Sequence, residues 1–285
     1  MVAWISTLGL GQMLREELKP FTRIYLEAST SSAWAARLIT ANGHEPIVVD
    51  PRRNRLIAGS TKKTDKNDAA TLANLGRVGL LSPVYVRSAE TEQVRRVLTA
   101  RAALVDARGN LSRTIRALHR SEGHLLPGGA PEDLTKRLLR EGTLPHLGES
   151  ALPLAQAMDA ITVQIADTEA GIDVYAALHK ESVAILKSIP GVGPIVSVGF
   201  LAHLEDVGRF TRPCQVAAYF GLVPWVSESA GKRQEGGITG HGNKRLRKYL
   251  IQAAHAHMKS KEMTALKQWT LTLMERVGRK KECGG

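Results

Sequence analysis

The chain has 285 residues, 43% of them apolar and only 5% aromatic, with a net charge of +12 and a pI near 9.9. The apolar fraction excludes a disordered chain, and so few rings exclude a base-stacking platform. Two cysteines, Cys214 and Cys283, exclude a disulfide scaffold and a cysteine-type zinc site. So positive a charge points to polyanions, with nucleic acid the first partner and a membrane surface the second. No apolar run reaches the roughly 18 residues that span a bilayer. No basic helix carries Trp or Phe on its other face, and Met1–Thr7 lacks a secretory leader. The expectation is a cytoplasmic protein.

A first helix is expected over 10–18, closed by Pro20. Residues 22–28 alternate, with Ile24, Leu26 and Ala28 on one face and Tyr25 and Glu27 on the other. A helix over 33–40 ends at Asn42-Gly43, and 45–50 reads as a second strand. Strand, helix, strand implies a parallel pairing in an α/β layer. Functional groups collect at the carboxyl ends of such strands, where Glu27 lies.

Lys62-Lys63-Thr64-Asp65-Lys66-Asn67-Asp68-Ala69-Ala70 opens an Ala/Leu-rich helix. Residues i and i+3 share a helix face, so Asp65 and Asp68 can point at one spot and hold a hard cation such as Mg²⁺ or Mn²⁺. The alternative makes Asp65 an N-cap and Asp68 a first-turn acid favoured by the helix dipole.

Residues 88–120 read as one long amphipathic, coiled-coil-like helix. Val97, Leu104, Leu111 and Leu118 recur every seventh position, with Val94 and Ile115 beside them. Its polar face carries Arg95, Arg96, Arg101, Arg108, Arg113, Arg116 and Arg120, a one-signed surface suited to a phosphate backbone or simply to solvent. A Gly/Pro loop follows over 123–131, then helices over 131–141 and 152–179 that return antiparallel.

In the last third, Pro190-Gly191-Val192-Gly193 sits between helical patterns, like a helix-hairpin-helix. Backbone N–H groups there could grip a phosphate, or Gly191 and Gly193 could simply form a corner. Residues 227–237 read as a polar Gly-rich loop. Gly242-Asn243-Lys244-Arg245-Leu246-Arg247 leads into a helix over 244–257, and 279–282 form a basic tail.

These pieces resemble the DEDD-type insertion-sequence transposases, relatives of the Piv-type DNA invertases. The resemblance rests on five motifs in order. They are Leu26-Glu27-Ala28, Lys63-Thr64-Asp65-Lys66-Asn67-Asp68-Ala69, Pro190-Gly191-Val192-Gly193, Gly221-Leu222-Val223-Pro224 with its Ser229–Lys232 loop, and Gly242 to Arg247. It covers nearly all of the chain after Pro20.

The resemblance implies an α/β-plus-α protein. Residues 1–86 would form an incomplete RuvC-like, ribonuclease-H-type domain, 87–180 an arginine-rich helical region, and 181–285 a mostly helical transposase domain. It implies that Glu27, Asp65 and Asp68 bind Mg²⁺ or Mn²⁺ and that Ser229, with Ser227 in reserve, attacks the DNA phosphate. DNA contacts would come from Arg95, Arg101, Arg108, Arg113, Gly191, Gly193, Lys232, Arg233, Asn243, Lys244, Arg245 and Arg247. The partners implied are duplex DNA, a structured guide RNA in some members, and further copies of the chain.

One departure stands out. The family pattern opens with a Gly-Ile-Asp strand supplying a fourth carboxylate, whereas no Asp precedes Asp50 here. The expectation is therefore an N-terminally truncated chain. It would be either a working recombinase or a remnant that binds nucleic acid without chemistry.

Overall fold

The computed structural model describes residues 7–50, 64–126, 128–140, 148–229 and 232–277. The chain divides into two compact units, Met1–Ser88 and Ala89–Gly285. The expected regions 87–180 and 181–285 both fall almost wholly within the second. The class is α/β plus α, mostly helical with small sheets.

The first unit opens with helix α1 (Thr7–Glu16), strand β1 (Arg23–Glu27), helix α2 (Ser32–Ala41), strand β2 (Glu45–Val49) and helix α3 (Asp65–Arg77). The two strands pair in parallel, Arg23 opposite Glu45 and Glu27 opposite Val49. Helix α2 is the crossover between them. Gly43, at φ +79°, makes the reversal from α2 into β2. Residues 83–84 extend the layer through an antiparallel bridge, Pro83 to Val49, with the Val84 N–H donating to the Val48 carbonyl at 2.7 Å.

The buried His44 places Nε2 2.7 Å from the Leu14 carbonyl and ties α1 to the start of β2. Across β1, α3 approaches closely at Gly76, where a Cβ would overlap the Tyr25 ring. That is the packing reason for glycine inside this helix, where it otherwise costs stability.

The second unit is built on helix α4 (Ala89–Ser121). A 3₁₀ turn (Pro131–Asp133) leads into helix α5 (Leu134–Arg140), and helix α6 (Gly148–Leu178) then runs back antiparallel to α4. The direction follows from packing that ascends α4 as it descends α6: Val94 and Leu98 meet Ile172 and Tyr175, whereas Ile115 meets Ala155 and Met158. The expected heptad line needs correction. Val97, Leu104, Leu111 and Leu118 are only half-buried, and the deepest seam is Thr91, Val94, Leu98, Ala102, Ser112, Ile115 and His119. Small and polar residues complete the inward face, so a search for large apolar side chains follows its edge.

Helices α7 (Lys180–Lys187), α8 (Pro194–Leu204) and α9 (Pro213–Tyr219) follow, then strands β3 (Pro224–Ser229) and β4 (Lys232–Ile238), and helices α10 (Lys244–Lys259) and α11 (Ala265–Val277). The polar loop expected over 227–237 is instead an antiparallel hairpin. Ser227 lies opposite Gln234 and Ser229 opposite Lys232, with an irregularity near Trp225. Gly236 tucks beside the Trp225 ring, where a Cβ would approach it at 3.2 Å. Gly236 is therefore a glycine for packing reasons rather than for looseness.

Candidate nucleic-acid interface and catalytic residues

In the first unit, the carboxylates sit where strand and helix ends place them. Glu27 is the exposed last residue of β1. Asp65 and Asp68 occupy one face of the first turn of α3, Asp65 exposed and Asp68 half-buried. The cap is Thr64, not Asp65. Its backbone is extended and its Oγ1 accepts from the Asn67 N–H at 3.3 Å, so Asp65 is the first helical residue. Lys62 and Lys63 lie outside the described residues.

As hard oxygen donors, the two aspartates suit a divalent cation. Among the described residues, however, no three His, Cys, Asp or Glu side chains gather at metal-binding spacing. The donors are chemically apt, but these residues alone do not complete a site.

In the second unit, the expected phosphate-binding arginines divide into two groups. Arg101 donates through Nε to Glu169 of α6 at 2.7 Å. Arg108 lies 3.3 Å from both Thr162 and Glu132. Arg116 reaches the carbonyls of Leu126 and Gly129. These side chains brace α4 against its neighbours. Arg96, Arg113 and Arg120 point away from that seam, Arg113 bonding to Asn110 one turn away.

Arg247 also turns inward. It is 8% exposed and donates to the carbonyls of Phe220, at 3.1 Å, and His241, at 2.6 Å. It thus clamps a crossing of two motifs. Gly221 (φ +68°) and Gly242 (φ +82°) each lie where a Cβ would overlap the other segment's backbone, at His241 and Tyr219 respectively. The motif residues Gly221, Gly242 and Arg247 form a lock at the base of the β3–β4 hairpin. An arginine expected on phosphate is a structural tie here because its Nη1 donates to a carbonyl of each segment at once.

Gly191, at φ +92°, closes the turn between α7 and α8 and lies against Ala253, Ala256 and His257 of α10. His257 joins the same contact, its Nδ1 3.1 Å from the Pro190 carbonyl. Gly193 has open space around it and stands at the N-cap of α8.

Three of the selected residues converge. Arg95 of α4, with Asn243 and Arg245 at the start of α10, line one cleft of about 380 Å³ together with Arg96, His203 and Tyr249. Asn243 is the α10 N-cap, its Oδ1 accepting from the Leu246 N–H at 2.9 Å. Arg95 donates to Glu92 at 2.7 Å. His203 is buried, with Nδ1 2.6 Å from the Gly199 carbonyl. Tyr249 and His203 were missed by sequence reasoning. Tyr249 stands one turn beyond Arg245 on the same face of α10, a spacing that could have shown it; His203 carries no such signal. Lys244 is exposed beside the cap, and Lys232 and Arg233 lie on β4 opposite Ser229 and Glu228.

Among the described residues, no helix is long and apolar enough to cross a membrane.

Two family profiles match the chain. One, of the DEDD IS110 transposase type, covers residues 9–121. The other, described as transposase of the IS116/IS110/IS902 family, covers 183–269. The putative transposase y4rJ of Sinorhizobium fredii is 30% identical over 282 residues, 87% of this chain and 68% of that protein. The putative transposase y4qE of the same organism is 29% identical over 278 residues, 97% of this chain and 66% of that one. The transposase for insertion sequence element IS1111A of Coxiella burnetii is 31% identical over 232 residues, 78% of this chain and 63% of that one. The chain spans about two thirds of the length of these relatives. The matches thus define an insertion-sequence transposase. More particularly, the chain belongs to the DEDD-type IS116/IS110/IS902 transposase family.

Proposed function

We propose that the chain breaks and rejoins DNA strands of an insertion sequence, with the serine hairpin supplying the nucleophile and the basic cleft of the second unit holding nucleic acid. The observation that carries this is the convergence of Arg95, Asn243 and Arg245 on one cleft in a chain of this family. The Oγ of Ser229, or of Ser227 in its place, attacks phosphorus. A phosphoserine ester forms as the bond to the deoxyribose oxygen breaks, and that oxygen leaves with a proton. A DNA hydroxyl later attacks the ester and frees the serine, so no bond energy is lost.

Asp65 and Asp68, with Glu27, are the carboxylates that would hold Mg²⁺ or Mn²⁺, which would neutralise charge on the phosphate oxygens. The ribonuclease-H-type fold of the first unit, the helix-hairpin-helix role of Gly191 and Gly193, a guide RNA, assembly into oligomers and residence in the cytoplasm belong to the same proposal.

The test is trapping of a covalent protein–DNA adduct on element-end DNA. Ser229→Ala is expected to abolish the adduct while leaving DNA affinity intact. Loss with Ser227→Ala alone would move the nucleophile two residues. No adduct from the unaltered chain, with salt-sensitive binding retained, would favour the second reading, a remnant that only binds nucleic acid.

A further inference from the structure

We infer that the cleft between α4 and the first turn of α10 receives a single unpaired nucleotide of a nucleic-acid strand. This rests on the reading of the chain as a protein that handles nucleic acid and goes further by naming the form of strand it takes.

The walls of the cleft carry two chemistries. Arg95, Arg96 and Arg245 supply three positive charges against the one carboxylate of Glu92. Beside them stands the half-buried ring of Tyr249, over a floor closed by the core side chains Leu98 and Leu246. Gripping a phosphate calls for no apolar wall. A paired duplex offers its charged backbone outward and keeps its base faces stacked. A nucleotide outside a stack presents both an anionic phosphate and a flat, weakly hydrated base, and such bases are held on aromatic or apolar side chains.

The volume fits the same occupant. About 380 Å³ lies near the lower end of small-ligand sites, roughly 300–1,000 Å³, which leaves room for one nucleotide rather than a run of them.

The polar wall is held in place before anything binds. Glu92 is itself largely buried and fixes the Arg95 fork at 2.7 Å. Asn243 closes the first turn of the 16-residue α10, whose dipole adds positive potential at the cleft. The positions come from segments about 150 residues apart, so no local motif contains them.

The experiment is fluorescence anisotropy with four labelled probes: a fully paired DNA duplex, the same duplex with one unpaired nucleotide, and single strands of DNA and RNA. The unaltered chain is expected to prefer probes with an unpaired nucleotide. Tyr249→Ala should weaken those probes by about ten-fold, the loss of one base stack, and leave the paired duplex unchanged. Tyr249→Phe should keep the preference. A preference confined to DNA or to RNA assigns the strand, and either supports the inference. Equal affinity of the unaltered chain for paired and unpaired probes overturns it, whether or not Tyr249→Ala folds. Equal loss on all probes with Tyr249→Ala overturns it too. Failure to bind any probe would instead sink the broader nucleic-acid reading.

Discussion

The two units hold themselves together differently. In the first, the buried apolar side chains among the described residues are Leu14, Ala36, Ile39, Val48 and Val49, around two parallel strands. In the second, three clusters of buried side chains run from Val94 to Leu246. The first unit is patterned locally: alternation, a cap at Thr64 and a stop at Gly43. The second depends on packing between distant segments: α4 on α6, and residues 219–222 on 241–247. Equivalent substitutions should therefore cost more in the second unit than in the first, and unfolding measurements can break that expectation.

The largest effect is expected from Ile115→Ala. Its side chain is fully buried between α4, α5 and α6, and truncating such a residue costs about 4 kcal/mol. Urea unfolding followed by circular dichroism would show it. A loss no greater than that of Val49→Ala in the first unit would contradict the contrast.

Next come two glycines of similar backbone angle. Gly221→Ala places a Cβ at positive φ and into the His241 backbone, for a cost of about 3 kcal/mol. Gly43→Ala has the same angular penalty but open space around it, so it should cost only about 1 kcal/mol. Similar losses at both sites would mean that the crossing at Gly221 yields without resistance.

Arg247→Met should cost about 2 kcal/mol, because two carbonyls lose a charged donor inside the protein. Its effect on DNA affinity should follow the folded fraction alone. A drop in affinity at full folding would return Arg247 to the phosphate role first expected of it.

How much of this was legible follows from the same contrast. Strands β1 and β2 and helix α2 lie within one residue of expectation, because each is set by neighbours in sequence. Helix α4 was legible in extent, but its seam was displaced, since Thr91, Ala102, Ser112 and His119 complete it. The β3–β4 hairpin was hidden by glycine and charge, although only Ala230 and Gly231 separate its strands. In the candidate site, Arg95, Asn243 and Arg245 could be selected one by one. Their meeting, and the diversion of Arg101, Arg108 and Arg247 to internal partners, depend on the packing of α4 against α6 and on the 221/242 crossing, which no window of sequence contains.

The smallest expected effect separates the units through one kind of bond. Arg23 and Glu45 pair across β1 and β2 at 2.8 Å with both side chains more than half exposed. The Glu45 carboxylate, accepting a hydrogen bond, holds the Arg23 guanidinium above its ordinary pKa, so the arginine stays charged at any ordinary pH. Water and salt screen the pair, and Glu45→Gln should leave stability unchanged. Arg101 and Glu169 make the same bond between α4 and α6 with the arginine side chain only 17% exposed. There the guanidinium loses its partner where water reaches it poorly, so Glu169→Gln should cost about 1 kcal/mol. A double-mutant cycle at each pair would measure the coupling. Equal couplings would mean that α4 and α6 admit solvent as freely as the open edge of the first unit, and the distinction between locally and distantly held structure would then fail at its weakest bond.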